Sequence, residues 1–266
     1  MTPLLPSLAA AGLYAGTALY QALLLSRRAT ADKRLLGGLG ALALLMHLIA
    51  LHGLLLDGDA LLLDFFNAAS LLAAAVIALT LLTSLRVPVH NLLVLLFPLG
   101  ALTALLALFA PAGTTLPIRE EPGILAHILL SILAYGLLTI AVLQALLLLL
   151  QNHQLKHKHP SGIIRTFPPL QTMESLLFGF LWGGWSLLSL SLLSGALFLD
   201  DLFAQHLVHK TLLACLAWVV FGVLLWGRHQ LGWRGGKAIR WTLAGFLLLM
   251  LAYFGSKLVR EFILHI

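Results

Sequence analysis

The chain has 266 residues, 61% of them apolar and only 10% charged, with a mean hydropathy of +1.01. That composition excludes a water-soluble domain, which would be nearer half apolar and a quarter charged, and it excludes intrinsic disorder. The net charge of +6 and the pI of about 9.8 are those of a membrane protein whose basic residues mark topology, with nucleic-acid binding unneeded.

Uninterrupted apolar runs predict transmembrane helices over about 7–26, 35–56, 65–84, 91–110, 123–151, 177–199, 210–227 and 240–258. At roughly 20 residues per bilayer crossing, these runs use nearly the whole chain. The expected fold class is all-α: a polytopic membrane protein, a helical bundle forming a single domain over residues 1–266. Breakers fall between runs at Asp57-Gly58-Asp59, Pro111-Ala112-Gly113, Pro160-Ser161-Gly162 and Gly235-Gly236. The fifth run is long enough to tilt or to project past the bilayer. Pro88 and Pro98 flank and enter the fourth run, where a kink is expected. The first run is read as a retained helix, because Arg27 and Arg28 follow it and no basic residue precedes it.

Charge distribution orients these runs. Arg27, Arg28, Lys33, Arg34, Arg86, Lys156, Lys158, Arg165, Arg228, Arg234, Lys237 and Arg240 fall on one side, 12 of the 16 basic residues. Of the acidic residues only Asp32 and Glu174 join them. The positive-inside rule makes that side cytoplasmic and puts both termini outside, on the periplasmic face. Lys257 and Arg260 in the outer tail are the exception.

Eleven histidines are many in so apolar a chain. Histidine ligates heme iron and transition metals, and an ionisable group within the membrane is a functional candidate by default. His47 and His52 lie on the second span. His47 is near mid-membrane, where an interhelical hydrogen bond is its simplest role, while His52 is near enough to the outer interface to reach water. His127 begins the series His127, Ser131, Tyr135 at four-residue steps, one slowly drifting helical face. That face suits cofactor ligation and equally suits an interfacial histidine with a helix-packing serine and tyrosine. His127, His206, His209 and His265 share the predicted outer side, so two of them could supply axial imidazoles to a heme. His153, His157 and His159 alternate with lysines in a predicted cytoplasmic loop, the pattern of a solvated headgroup-facing segment. His90 and His229 read as residues of the cytoplasmic interface.

Other signals point away from common chemistries. Trp182-Gly183-Gly184-Trp185 has the look of an aromatic platform, yet its glycines within a span favour close helix packing. No phosphate-binding loop occurs. No span carries a carboxylate pair for proton relay, and Cys215 alone makes neither a disulfide nor a cysteine zinc site.

The carboxy-terminal third contains Ala217-Trp218-Val219-Val220-Phe221, Leu224-Leu225-Trp226-Gly227-Arg228, Gly232-Trp233-Arg234-Gly235 and Ala252-Tyr253-Phe254-Gly255. It resembles the cytochrome c assembly family of heme-handling membrane proteins, the CcsA- and CcmC-like group, in its YpjD-type branch. The resemblance extends back to the His127–Tyr135 helix and implies that His127 is the first outer heme ligand, with Tyr135 at the matching offset. It implies His265 as the second ligand to the iron, and His47 as a match to a histidine of the early spans. Two departures accompany it. The segment Leu199–His209 contains no tryptophan where cytochrome-assembling members place a heme platform, and Trp226 stands where such members place a histidine.

The expected function is that of a multi-pass bacterial inner-membrane protein. It would bind heme b at its outer face through His127 and His265, with Tyr135 and Trp185 lining the pocket. Its role would be heme relay or cytochrome c maturation and not enzymatic catalysis. Expected partners are the lipid bilayer, heme and other maturation membrane proteins, with no nucleic acid. The alternative is a non-heme scaffold or accessory subunit, with a small-solute carrier the weaker variant.

Overall fold

The computed structural model describes residues 3–26, 31–57, 60–109, 115–117, 122–156, 167–198, 208–255 and 258. Among them are eight helices long and apolar enough to cross a membrane. Their α-helical stretches are α1 (Leu4–Ser26), α2 (Lys33–Leu55), α3 (Phe65–Ser84), α4 (Leu93–Phe109), α5 (Pro122–Lys156), α6 (Leu170–Phe198), α7 (Val208–Leu231) and α8 (Gly236–Met250). A 3-10 turn at His90–Leu92 leads into α4, and a π turn at Leu251–Gly255 extends α8. Each predicted run is thus a helix. At about 1.5 Å per residue, the 35 residues of α5 exceed a hydrocarbon core of about 30 Å. Helix α4 is unbroken through Pro98, which is exposed.

Three short strands are an addition to the sequence expectation. They are β1 (Leu56–Asp57), β2 (Ala60–Leu62) and β3 (Thr115–Pro117), joined antiparallel in the order β1-β2-β3. Strands of two and three residues are too short to carry an alternation that hydropathy could reveal.

The described elements fall into two compact units, one carrying α1 to α4 with the small sheet and the other α5 to α8. Helices in lipid gain no hydrophobic driving force from each other, so small residues that allow close approach decide which faces meet. In the first unit a Cβ on Gly100 would stand 2.6 Å from Ile77 Cδ1, and one on Gly40 2.7 Å from Phe97 Cζ. In the second, a Cβ on Gly184 would stand 2.7 Å from Leu138 Cγ, and one on Gly245 2.8 Å from Phe221 Cε1. Leucines such as Leu19, Leu82 and Leu102 in the first unit, and Leu193, Leu212 and Leu247 in the second, stay exposed, as lipid-facing side chains should.

Asp64 caps α3. Its carboxylate accepts from the Asn67 backbone N–H at 2.9 Å and from Asn67 Nδ2 at 2.6 Å, which satisfies helix-terminal donors. Leu51, Leu55 and Ala74 form an apolar cluster in the same unit.

Candidate functional site

The α5–α6 pair builds the polar site of the second unit. His127 sits in the second turn of α5, and its Nδ1 lies 2.9 Å from the Ser191 carbonyl and 3.2 Å from Ser194 Oγ on α6. A carbonyl oxygen only accepts, so Nδ1 carries a proton, and in the neutral form of the ring the lone pair is on Nε2. Among the described residues Nε2 makes no hydrogen bond. Ser194 Oγ also donates to the Ser191 carbonyl at 2.8 Å. Ser131 donates to the His127 carbonyl at 2.7 Å. With its one hydroxyl hydrogen so used, Ser131 Oγ accepts from Ser191 Oγ–H, 2.7 Å away. The imidazole is therefore held in one tautomer and one orientation by a neighbouring helix.

Tyr135 follows two turns along α5. It is 9% exposed, and its ring meets Phe246 of α8 at 5.4 Å, Tyr253 at 6.4 Å and Phe254 at 6.0 Å. The Tyr-Phe-Gly sequence closes the π turn Leu251–Gly255, an element common at functional sites. The Tyr135 hydroxyl has no hydrogen-bond partner among the described residues. Tyr135 thus brings a buried phenol, its hydroxyl without a hydrogen-bond partner among the described residues, into an aromatic cluster.

Trp185 is committed to α7. Its ring stacks on Trp218 at 5.3 Å and 19°, and its Nε1–H donates to the Trp218 carbonyl at 3.1 Å. Trp218 Nε1–H donates to Ser189 Oγ at 2.7 Å, and Ser189 donates to the Trp185 carbonyl at 2.8 Å. Every polar group of this pair is satisfied within two helices. The structure therefore uses Trp185 to join α6 to α7, and Gly184 beside it to admit Leu138.

His47 belongs to the other unit. It is 1% exposed, with Nε2 2.8 Å from Ser70 Oγ on α3 and its ring edge-on to Tyr14 at 5.8 Å. This is the interhelical hydrogen bond that its mid-membrane position calls for. Its Nδ1 and the Tyr14 hydroxyl are buried without hydrogen-bond partners among the described residues.

The other histidines separate readily. His52, His153, His209 and His229 are exposed and His90 is half-buried. His265, the expected second ligand, lies outside the described residues, as do His157, His159 and His206. Among the described residues no three histidine, cysteine or carboxylate side chains converge on a position for a bare metal ion. One oriented imidazole with an unbonded Nε2 would suit instead a single-histidine contribution to holding a heme iron.

Sequence reasoning found His127, Ser131 and Tyr135 but missed Ser191 and Ser194. The available signal was the serine run Ser186, Ser189, Ser191, Ser194 inside an apolar span, where hydroxyls must find partners on another helix.

The family model described as cytochrome C assembly protein matches residues 35–264. The chain belongs to the cytochrome c assembly family. It is 35% identical over 224 residues to the inner membrane protein YpjD of Escherichia coli strain K12, covering 84% of this chain and 85% of that protein. Protein HemX of Brevibacillus brevis is 25% identical over 134 residues, half of this chain and 49% of that one. The cytochrome c biogenesis protein CcsA of Guillardia theta is 23% identical over 190 residues, covering 60% and 63%. No solved structure matches. Eight spanning helices and this kinship make the chain a multi-pass bacterial inner-membrane protein of the cytochrome c assembly family.

Proposed function

We propose that this family member binds heme b near its outer face through His127 and His265 and acts in heme relay or cytochrome c maturation, as a binding protein and not an enzyme. One observation carries the reading: His127 donates Nδ1–H to the Ser191 carbonyl and leaves Nε2 unbonded. A ring nitrogen anchored to a backbone carbonyl, with the opposite nitrogen unbonded, is the arrangement that orients histidine ligands and raises their basicity. When bound, heme would supply a redox-active iron, with His127 and His265 as the residues that would hold it. The protein's part is to hold His127 in one tautomer through Ser191 and Ser194. The Tyr135 hydroxyl offers a buried donor, and the aromatic cage of Phe246, Tyr253 and Phe254 keeps water from it. Orientation with both termini outside follows from the charge asymmetry and puts His127 and His265 on one side. Kinship with a protein named for cytochrome c biogenesis supports the cofactor class.

An absorption spectrum of the detergent-purified protein, oxidised and then reduced, tests this. A sharp Soret band that weakens in His127→Ala and in His265→Ala is expected. A colourless preparation from heme-replete cells overturns it and favours the second reading, a non-heme scaffold, which rests on the absence of tryptophan from Leu199–His209. Reporter fusions at Gly162 and Asp201 should report opposite sides of the membrane. The same side for both overturns the orientation.

A further inference from the structure

The Gly-Trp-Arg-Gly turn between α7 and α8 is built more rigidly than a connecting loop requires. Gly232 and Gly235 adopt positive φ of 65° and 57°, a conformation that L side chains rarely take, and they fold the chain back so that the Trp233 N–H donates to the Gly227 carbonyl at 3.1 Å. Gly227 lies against the Trp233 ring, which leaves no room there for a Cβ. Arg228 ties the turn to α6. Its Nη1 bonds Glu174 Oε1 at 2.9 Å and the Trp233 carbonyl at 3.2 Å, and its guanidinium lies 4.5 Å from the centre of the Phe178 ring. Trp233 then packs on Trp241 at 5.3 Å.

Above this base stand three cations with a different status. Arg234, Lys237 and Arg240 are exposed, and among the described residues none of them has a carboxylate partner; the ion pair there is Arg228 with Glu174. Lys237 Nζ is held 4.6 Å from the centre of the Trp233 ring. Lys237, Arg240 and Trp241 share one face of α8 at helical spacing. The turn joins the ends of two spanning helices, the level at which tryptophan sits among lipid headgroups.

We propose that this turn is an anionic-phospholipid site, in which Arg234, Lys237 and Arg240 hold the headgroup phosphate over the Trp233–Trp241 pair. Three cations without carboxylate partners, Lys237 held over the Trp233 ring and Arg240 donating Nε–H to the Gly236 carbonyl at 3.3 Å, complement a phosphodiester in charge, and basic pockets between helix ends on the cytoplasmic side take such headgroups. The site is independent of heme.

The test is native mass spectrometry of the full-length protein from nanodiscs of mixed phosphatidylglycerol and phosphatidylcholine. The wild type should retain phosphatidylglycerol selectively. R234Q/K237Q/R240Q, which leaves Arg228, Glu174 and both tryptophans in place, should reduce that selectivity by on the order of 100-fold, because each lost cation removes a charge-assisted hydrogen bond to the same phosphate. Lys33→Gln with Arg34→Gln and Arg86→Gln removes as many exposed cations elsewhere on the predicted inner side and should leave selectivity within about twofold of wild type. No preference in the wild type, an unchanged preference in the first triple variant, or equal loss in both triple variants would each overturn the proposal.

Discussion

In each compact unit a histidine is bonded across a helix pair, and the two use opposite ring nitrogens. In α1–α4, His47 meets the Ser70 hydroxyl through Nε2 and is almost wholly enclosed. In α5–α8, His127 meets the Ser191 carbonyl through Nδ1 and is half-buried. The acceptor matters as much as the nitrogen. A serine hydroxyl donates or accepts, so it leaves the tautomer of His47 open, whereas a carbonyl fixes that of His127. A histidine bonded at Nε2 and enclosed by Tyr14 and Ser70 is suited to holding helices together. One bonded at Nδ1 and still accessible is suited to holding something else.

The largest expected effect sets these two against each other directly. His127→Ala should abolish most of the Soret absorbance of purified protein, while His47→Ala should keep it and instead lower thermal stability in detergent. If colour disappears only in His47→Ala, the roles are reversed and the ligand lies in the first unit.

A steric substitution sharpens the same contrast. Gly184→Val would place atoms within van der Waals distance of Leu138 and force α5 away from α6, along the face that also carries the His127–Ser191 bond. Overpacking of this kind costs about 1–3 kcal/mol, readable as a lower Tm, and should carry heme occupancy down with it. Gly40→Val, against Phe97, should destabilise comparably with heme occupancy per folded molecule retained. Equal loss of occupancy in both variants would mean that the two histidines are not functionally separate.

Much of this architecture was legible from residue order. Apolar runs give all eight spans because lipid demands continuous apolar helices, and four-residue spacing correctly placed Ser131 against the His127 turn. What stayed hidden depends on partners distant in sequence. Helix α6 begins at Leu170, ahead of the apolar run near 177, and its added turns carry Glu174, which Arg228 pairs 54 residues on. A carboxylate reads as loop until its cation is known. Trp185 could be a platform or a packing residue in sequence, and the stack with Trp218 shows how its ring and N–H are used. Ser191 and Ser194 act on a histidine 64 and 67 residues away, beyond the reach of any local pattern. His265 carries weight through family resemblance alone.

A polar deletion in the first unit should have a smaller effect. Ser70→Ala removes the partner of His47 Nε2 and leaves both ring nitrogens buried without one, which costs about 1–3 kcal/mol. His47→Leu combined with Ser70→Ala replaces both polar partners by apolar groups and should recover much of that loss. Chemical or thermal unfolding of the single and double variants measures the coupling. Additive losses would show that the bond stabilises nothing.

The smallest expected effect probes how firmly His127 is held. Its Nδ1–H is shared between the Ser191 carbonyl at 2.9 Å and Ser194 Oγ at 3.2 Å, and the shorter bond is to backbone that no side-chain substitution removes. Ser194→Ala should therefore preserve the tautomer and heme binding, and lower stability by about 0.5–1.5 kcal/mol. It should also strengthen the remaining bond, because the Ser191 carbonyl no longer accepts from Ser194 and is left to accept from His127. A more basic ligand favours ferric iron, so the midpoint potential should move slightly negative with the absorption maxima unchanged. A loss of heme comparable to that in His127→Ala would mean that the hydroxyl, and not the carbonyl, sets the imidazole, and the contrast with the hydroxyl-bonded His47 would collapse.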